Sequence, residues 1–286
     1  MFEGKVALVT GGSAGIGLAV ARKLVAGGGK VALVARTRVK LDAAVSELEG
    51  DHTPAFGEGG AAAASAKAAA FPLDVGDLAA LEGLPAAVVA RFGRLDFVVN
   101  NAGVHHRGPA LDRSSADLAA MVHVNLTAPI VLCRAAAPLL PRGGVIVNVA
   151  SLAGFVPVRD AATYSASKAG LRVFGRAFGD ELRPRGIAVR TVSPGPVDTD
   201  FFGAELHKVT PITFSQPMST PDEVADAVLA CLQGGPDEIA LPWFSGKLAT
   251  LGYLSPRILR LLRPMMEKRG AKKKAEYAAG KVGSRA

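Results

Sequence analysis

Tyr164 and Lys168 stand four residues apart in YSASKAG (164–170). On a helix that spacing puts a phenol and an ammonium on one face, one turn apart. A free tyrosine ionises near pH ~10. A fixed cation beside it favours the phenolate and moves the group toward a pKa useful for proton transfer near neutrality. Ser165, Ala166, Ser167, Ala169 and Gly170 are small and leave that face open to a cofactor and a substrate. An ordinary helix with one exposed lysine fits the same letters, so the rest of the chain has to decide.

A second cluster points to phosphate. VTGGSAGIG (9–17) follows an apolar run and opens a helical pattern. Gly11, Gly15 and Gly17 permit a tight turn and close approach of backbone to a pyrophosphate. The helix start that follows offers unpaired N–H groups and the positive end of its dipole. The spacing is G-x-x-x-G-x-G, and its place after the first strand makes it a dinucleotide signal. Ser13 can add a hydroxyl. The second apolar run ends Ala35-Arg36-Thr37-Arg38, with no carboxylate to take a ribose 2′-hydroxyl. Arg36 can pair with a 2′-phosphate and stack on adenine. The expectation is NADP(H), against the plainer reading of Arg36 as a solvated surface residue.

These groups need a scaffold, and the chain supplies alternating strand and helix patterns. Strands are expected at 5–10, 30–36, 70–75, 95–103, 143–151, 187–195 and 238–242. Helices are expected at about 15–27, 39–49, 77–92, 115–138, 162–183 and 221–233. Continuous apolar strands between helices imply a parallel sheet covered on both faces, wound right-handed. The fold class is α/β: a doubly wound, Rossmann-type three-layer α/β/α sheet with a C-terminal basic amphipathic helical extension. Ligands belong at the carboxyl ends of its strands.

With those motifs in order, the chain resembles the short-chain dehydrogenase/reductase family over residues 5–245. The resemblance rests on TGGSAGIG (10–17), LDV (73–75), NNAG (100–103), Asn125 in VNLTA, Ser151 in NVASLAG, YSASK (164–168) and PGPVDTD (194–200). It implies a catalytic tetrad of Asn125, Ser151, Tyr164 and Lys168. Tyr164 would exchange a proton with the carbonyl oxygen, and Ser151 would orient that oxygen. Lys168 would lower the tyrosine pKa and hold the nicotinamide ribose. Asn125 would position a water that relays protons to Lys168. The implied cofactor contacts are Gly11, Ser13, Ala14, Gly15, Ile16, Gly17, Arg36, Tyr164 and Lys168. Asp74 and Val75 would lie by the adenine. Asn100, Asn101, Ala102 and Gly103 would lie at the end of the fourth strand. Pro194, Gly195, Val197 and Thr199 would flank the nicotinamide. The resemblance also implies a homo-oligomer. Within the family a 3-oxoacyl-thioester reductase is a specific alternative, and a non-catalytic NADP(H)-binding redox reporter is the rival from another class.

The substrate is not fixed by the family. The expected substrate loop is 196–217. Phe201, Phe202, Leu206, Ile212 and Phe214, with Leu152, Phe155 and Val156, are expected to form an apolar pocket for a lipophilic carbonyl or alcohol, although ordinary core would read the same way. Adjacent His105 and His106 have no partner pattern for a metal and are expected at the surface or pocket rim. Cys133 and Cys231 are expected to be buried structural thiols, which suits a reducing, cytoplasmic setting.

The 286 residues carry a net charge of +8, but unevenly. From Lys247 onward there are eleven basic and two acidic residues, and the rest of the chain is close to neutral. The chain is therefore divided into residues 1–245, a catalytic and cofactor-binding domain, and 246–286, a basic tail. A low-complexity stretch near 51–70 is expected to be a surface insertion. In SPRILRLLRPMMEKRGAKKK (255–274), Ile258, Leu259, Leu261, Leu262, Met265 and Met266 fall within an arc of roughly 160° on a helix. Arg257, Arg260 and Arg263 lie opposite, and Pro264 is expected to kink or end the helix. Such a segment can lie on an anionic membrane surface or pack on protein. The residues after it are expected to be a solvated end. Nucleic acid is not an expected partner, since the basic cluster lacks interleaved aromatics. No signal-peptide layout or run of about 20 uninterrupted apolar residues is seen.

Overall fold

The computed structural model describes residues 1–50, 66–199 and 203–279. Seven strands form one sheet in the order β3-β2-β1-β4-β5-β6-β7. They are β1 Val6–Thr10, β2 Lys30–Ala35, β3 Ala68–Pro72, β4 Phe97–Asn100, β5 Val145–Val149, β6 Ala188–Pro194 and β7 Glu238–Leu241. All pairings are parallel. The helices among the described residues are α1 Gly15–Ala26, α2 Arg38–Glu49, α3 Leu78–Phe92, α4 Ser115–Val122, α5 Ala128–Ala136, α6 Ala162–Leu182, α7 Pro221–Leu232, α8 Trp243–Leu254 and α9 Pro256–Ala278.

The strands are apolar throughout because both faces are buried. Ala7, Val9, Val31, Leu33, Val99 and Val147 pack against α1, α2 and α7. Their neighbours Val6, Leu8, Ala32, Val34, Val98 and Ile146 pack against α3, α5 and the end of α6. Both thiols are buried in these layers. Burial pushes Cys133 up to about 12 and Cys231 up to about 11. At the foot of the sheet the buried Asp96 carboxylate accepts from Val6 N at 3.0 Å, Lys5 Nζ at 3.1 Å and Arg94 Nε and Nη2, tying β1 to β4.

Sequence and structure part company in four places. The third strand comes earlier than 70–75, because Ala68–Pro72 pairs with β2 and the ladder stops at proline. The expected insertion near 51–70 thus ends inside the sheet, where Ala68 and Ala70 are buried. Residues 51–65 lie outside the described residues. The helix expected at 115–138 is interrupted by a π-helical turn, His123–Thr127, between α4 and α5. This stretch, Ser115–Ala136, is the one described helix long and apolar enough to cross a membrane on length and composition. Met121, Leu132 and Cys133 nevertheless point into the protein, each about 2% exposed or less. Helix α8 is unexpected. Helix α9 runs through Pro264 to Ala278 instead of giving way to a solvated end.

Helix α9 folds back across the substrate loop. Lys274 Nζ donates to His207 O at 3.0 Å and Val209 O at 2.6 Å. Tyr277 Oη donates to Asp198 Oδ1 at 2.7 Å. Gly270 is buried against Pro211, where a Cβ would lie 1.8 Å from the Pro211 carbonyl oxygen.

Candidate active site

Strands β1 and β4 are neighbours, and the chain leaves them toward opposite sides of the sheet. That switch point opens a crevice at their carboxyl ends. A cavity of about 710 Å³ fills it. Its floor begins at Thr10, whose hydroxyl accepts from Asn101 N and Ala102 N, each at 3.0 Å. Asn101 donates its side-chain amide to the carbonyls of Thr10 and Gly11 at 3.0 and 3.3 Å. The loop is packed so closely that a Cβ on Gly17 would lie 2.2 Å from Gly11 O. Gly11 and Gly15 adopt positive φ, +65° and +52°, which glycine reaches without strain. Helix α1 starts at Gly15 with no side-chain cap and no acidic residue in its first turn. By contrast α7 carries a full capping box, Thr220 with Glu223. The open α1 start faces the cavity through Ser13, Ala14, Gly15 and Ile16.

One end of the cavity is lined by Arg36, Thr37 and Lys40, with Asp74 and Val75 beside them. Asp74 Oδ1 accepts from Gly76 N at 2.9 Å, closing a tight turn after β3. Of the asparagines expected at the fourth strand, Asn101 lines the cavity, while Asn100 does not. Asn100 turns into the core, donating to Asn148 Oδ1 at 2.8 Å. Pro194, Gly195, Val197 and Thr199 line the far side.

Of the four expected catalytic residues, Ser151, Tyr164 and Lys168 line the middle of the cavity, while Asn125 is buried behind it. Ser151, just after β5, accepts from Ala153 N at 3.1 Å, and its hydroxyl opposes the rise of the Tyr164 pKa. Tyr164 and Lys168 lie on the first turns of α6, as their spacing predicts. Lys168 is 5% exposed and donates to Val149 O at 2.9 Å. Its Nζ sits 6.0 Å from the Tyr164 ring centroid. Asn125 lies in the π-helical turn, whose wider coil directs it inward, an arrangement often found at functional sites. It clamps the backbone of Val104, accepting from N at 2.8 Å and donating to O at 2.9 Å, and donates to Ser167 Oγ at 3.2 Å.

The electrostatics differ from the sequence expectation. Burial raises the Tyr164 pKa and outweighs the opposing pull of Ser151 and of the Arg107 charge. Burial also lowers Lys168 to about 8. Arg107 is thus a further cation that acts on the phenol, beside the Lys168 that the spacing picks out. Arg107 is 6% exposed and its guanidinium lies 3.1 Å from His105 Nδ1. His105 stacks on Tyr164, with centroids 4.1 Å apart and planes 9° from parallel. His105 therefore lies well inside the rim. Nothing in the spacing of HHR (105–107) links it to Tyr164.

The small residues of α6 have a second cause. A Cβ on Gly170 would meet Leu126 at 2.9 Å, and one on Gly154 would meet Lys168 O at 2.9 Å. Part of the smallness is close packing rather than room for ligands.

The expected apolar pocket is partly realised. Leu152, Val156 and Ile212 line the cavity. Phe214 is core, packed with Val209 and against Tyr277. Phe155 lies under the Arg172 guanidinium. Leu206 packs on the Phe214 cluster. Phe201 and Phe202 lie outside the described residues. Helices α8 and α9 complete the wall with Ser245, Leu248, Ala249, Arg263 and Met266. Ser245 Oγ and Gln216 Oε1 are buried at this wall, with no hydrogen-bond partner among the described residues. Sequence reasoning missed this wall because no motif marks it.

The comparisons with known proteins agree with this architecture. The family model for the short chain dehydrogenases matches residues 5–209. The chain is 33% identical over 237 residues to the D-threitol dehydrogenase of Mycolicibacterium smegmatis, covering 79% of this chain and 85% of that protein. It is 34% identical over 198 residues to the 3-oxoacyl-[acyl-carrier-protein] reductase of Homo sapiens, covering 68% and 77%. Among solved structures, a short chain dehydrogenase from Burkholderia cenocepacia in complex with NADP is 35% identical, with a TM-score of 0.71 over 84% of this chain and 96% of that one. The chain belongs to the short-chain dehydrogenase/reductase family, oxidoreductases that act on alcohol and carbonyl groups.

Proposed function

We propose that this protein is an NADP(H)-dependent oxidoreductase that interconverts a lipophilic ketone or aldehyde and its alcohol. The observation that carries the reading is one cavity reaching from an uncapped helix start, past Tyr164, to an apolar wall. The residues present fit the cofactor. The open N–H groups of α1 suit a pyrophosphate, and glycine at 11 and 17 is required by contacts that any Cβ would violate. Arg36 and Lys40 offer two cations where a 2′-phosphate would lie, with Asp74 kept in its own turn. The Burkholderia cenocepacia relative is in complex with NADP, which supports the same choice.

When bound, the nicotinamide exchanges a hydride with the substrate carbon. Tyr164 holds the proton for the substrate oxygen, and its raised pKa keeps the phenol protonated for carbonyl reduction. Ser151 donates to the same oxygen and fixes its place beside Tyr164. Arg107 opposes the burial of the phenol and favours the phenolate needed for alcohol oxidation. Lys168, its ammonium anchored on Val149 O, is the residue that would hold the ribose hydroxyls of the cofactor. Asn125 acts as a positioning residue, holding the Val104 backbone against the site. Ser245 and Gln216 take hydrogen bonds from a polar group of an otherwise apolar substrate. One unit, residues 1–245, carries both cofactor and substrate residues, with α8 and α9 closing the wall.

A 3-oxoacyl thioester is the second reading. It is favoured by arginines at positions 107, 159 and 263 around the cavity, and by the likeness to a 3-oxoacyl-[acyl-carrier-protein] reductase. The deciding experiment follows NADPH and NADH oxidation across short polar ketones, 3-oxoacyl thioesters, steroids and long-chain aldehydes. Turnover with NADPH on steroids or aldehydes is expected. Turnover on 3-oxoacyl thioesters alone replaces the first reading with the second, and a preference for NADH defeats the cofactor assignment.

A further inference from the structure

Helix α8 reverses the usual surface pattern. Its buried residues are small: Ser245, Gly246, Ala249 and Gly252. Its outward side carries Phe244, Leu248, Leu251 and Leu254, spaced by four, three and three residues. Trp243 and Tyr253 stand beside them, 66% and 63% exposed, and Leu254 is 75% exposed. Helix α9 extends the surface. Leu261 is 81% and Met265 65% exposed, four residues apart. Arg257 precedes them on the same stripe and Lys268, Arg269 and Lys272 follow, all exposed. The single apolar arc read from the sequence is thus divided. Met266 turns to the cavity, while Leu261 and Met265 turn to solvent.

Large apolar side chains exposed in this number on two consecutive helices mark an interaction surface. Its charge selects the occupant. The segment from Lys247 onward holds eleven basic and two acidic residues, whereas the remainder is nearly neutral. A second copy meeting this face across a two-fold axis would set cations against cations. Leucine, tryptophan and tyrosine flanked by lysine and arginine suit the boundary between acyl chains and anionic headgroups. Lys247 Nζ lies 4.9 Å from the Trp243 ring, holding an ammonium at the level of the indole.

The same helices wall the cavity, and Leu248 belongs to both the patch and the wall. We propose that the outer face of α8 and α9 docks on an anionic lipid bilayer, so that lipophilic substrate reaches the cavity from the membrane. The entry half of this statement rests on the proposed substrate class, and the docking half does not.

The test sediments the full chain with vesicles of phosphatidylcholine alone or mixed with phosphatidylglycerol. Binding to the anionic vesicles is expected to exceed neutral binding about tenfold and to weaken in high salt. Leu251→Ser with Leu254→Ser, and separately Lys268→Glu with Lys272→Glu, are expected to reduce it about tenfold. Both pairs should leave NADPH oxidation with a water-soluble carbonyl unchanged, which shows that they fold. Equal binding to both vesicles, or none, overturns the docking. A wild-type dimer that the leucine pair converts to monomer assigns the face to a second copy and also overturns it. Docking without faster turnover of a vesicle-borne carbonyl overturns the entry half alone.

Discussion

Lys168 shows what the site costs the fold. Its ammonium is buried against Val149 O, and burial lowers its pKa from 10.5 to about 8. Below pH ~8 folded and unfolded chains both hold the proton, and the folded chain bears the full penalty of a buried charge. Between about 8 and 10.5 only the unfolded chain binds that proton, so this group's contribution to stability rises with pH. Lys168→Met is therefore expected to stabilise the cofactor-free protein at neutral pH by on the order of 3 kcal/mol, with the gain fading toward pH ~10. Denaturant unfolding across that range checks it, and an unchanged or lower neutral-pH stability would count against the buried charge. At this scale the sequence was most legible where chemistry needs fixed spacing. Tyr164, Lys168, the glycine loop and Arg36 all sit at the cavity. It was least legible where a contact joins distant segments. His105 and Arg107 meet Tyr164 only because the loop after β4 crosses the start of α6, and no local pattern encodes that crossing.

The elements were legible to within a few residues wherever apolar periodicity was strong, as in β1, β2, β5 and α7. They were misread where tertiary context overrides propensity. The alanines of β3 read as low complexity, yet their small side chains suit an edge strand beneath α2. The π-helical turn at Asn125 has no periodicity signal in a single sequence. Helix α9 was legible as a helix, but its reach over the substrate loop was not, because Gly270 and Tyr277 carry that docking without an apolar stripe. Gly270→Val tests that role. Its side chain would collide with the Pro211 carbonyl, so α9 must lift from the loop. The expected result is a KM for the carbonyl substrate raised about tenfold with kcat nearly unchanged, and a stability loss of about 1–3 kcal/mol. An unaltered KM would remove α9 from the substrate wall.

At the scale of the molecule, the strand order decides where function sits. The neighbours β1 and β4 place the glycine loop and the loop after β4 on either side of one crevice, and α6 brings Tyr164 across from β5 and β6. The charge of the chain is set elsewhere, on the C-terminal helices, so the high overall basicity says little about the cavity chemistry. The central claim is that Tyr164 exchanges the proton within a cavity that binds NADP(H). Its most direct test is Tyr164→Phe, measured for NADPH affinity and for turnover on the best carbonyl substrate. The account predicts an affinity within about threefold of the wild type and a kcat lower by about 10²- to 10⁴-fold. Turnover preserved in Tyr164→Phe would contradict it.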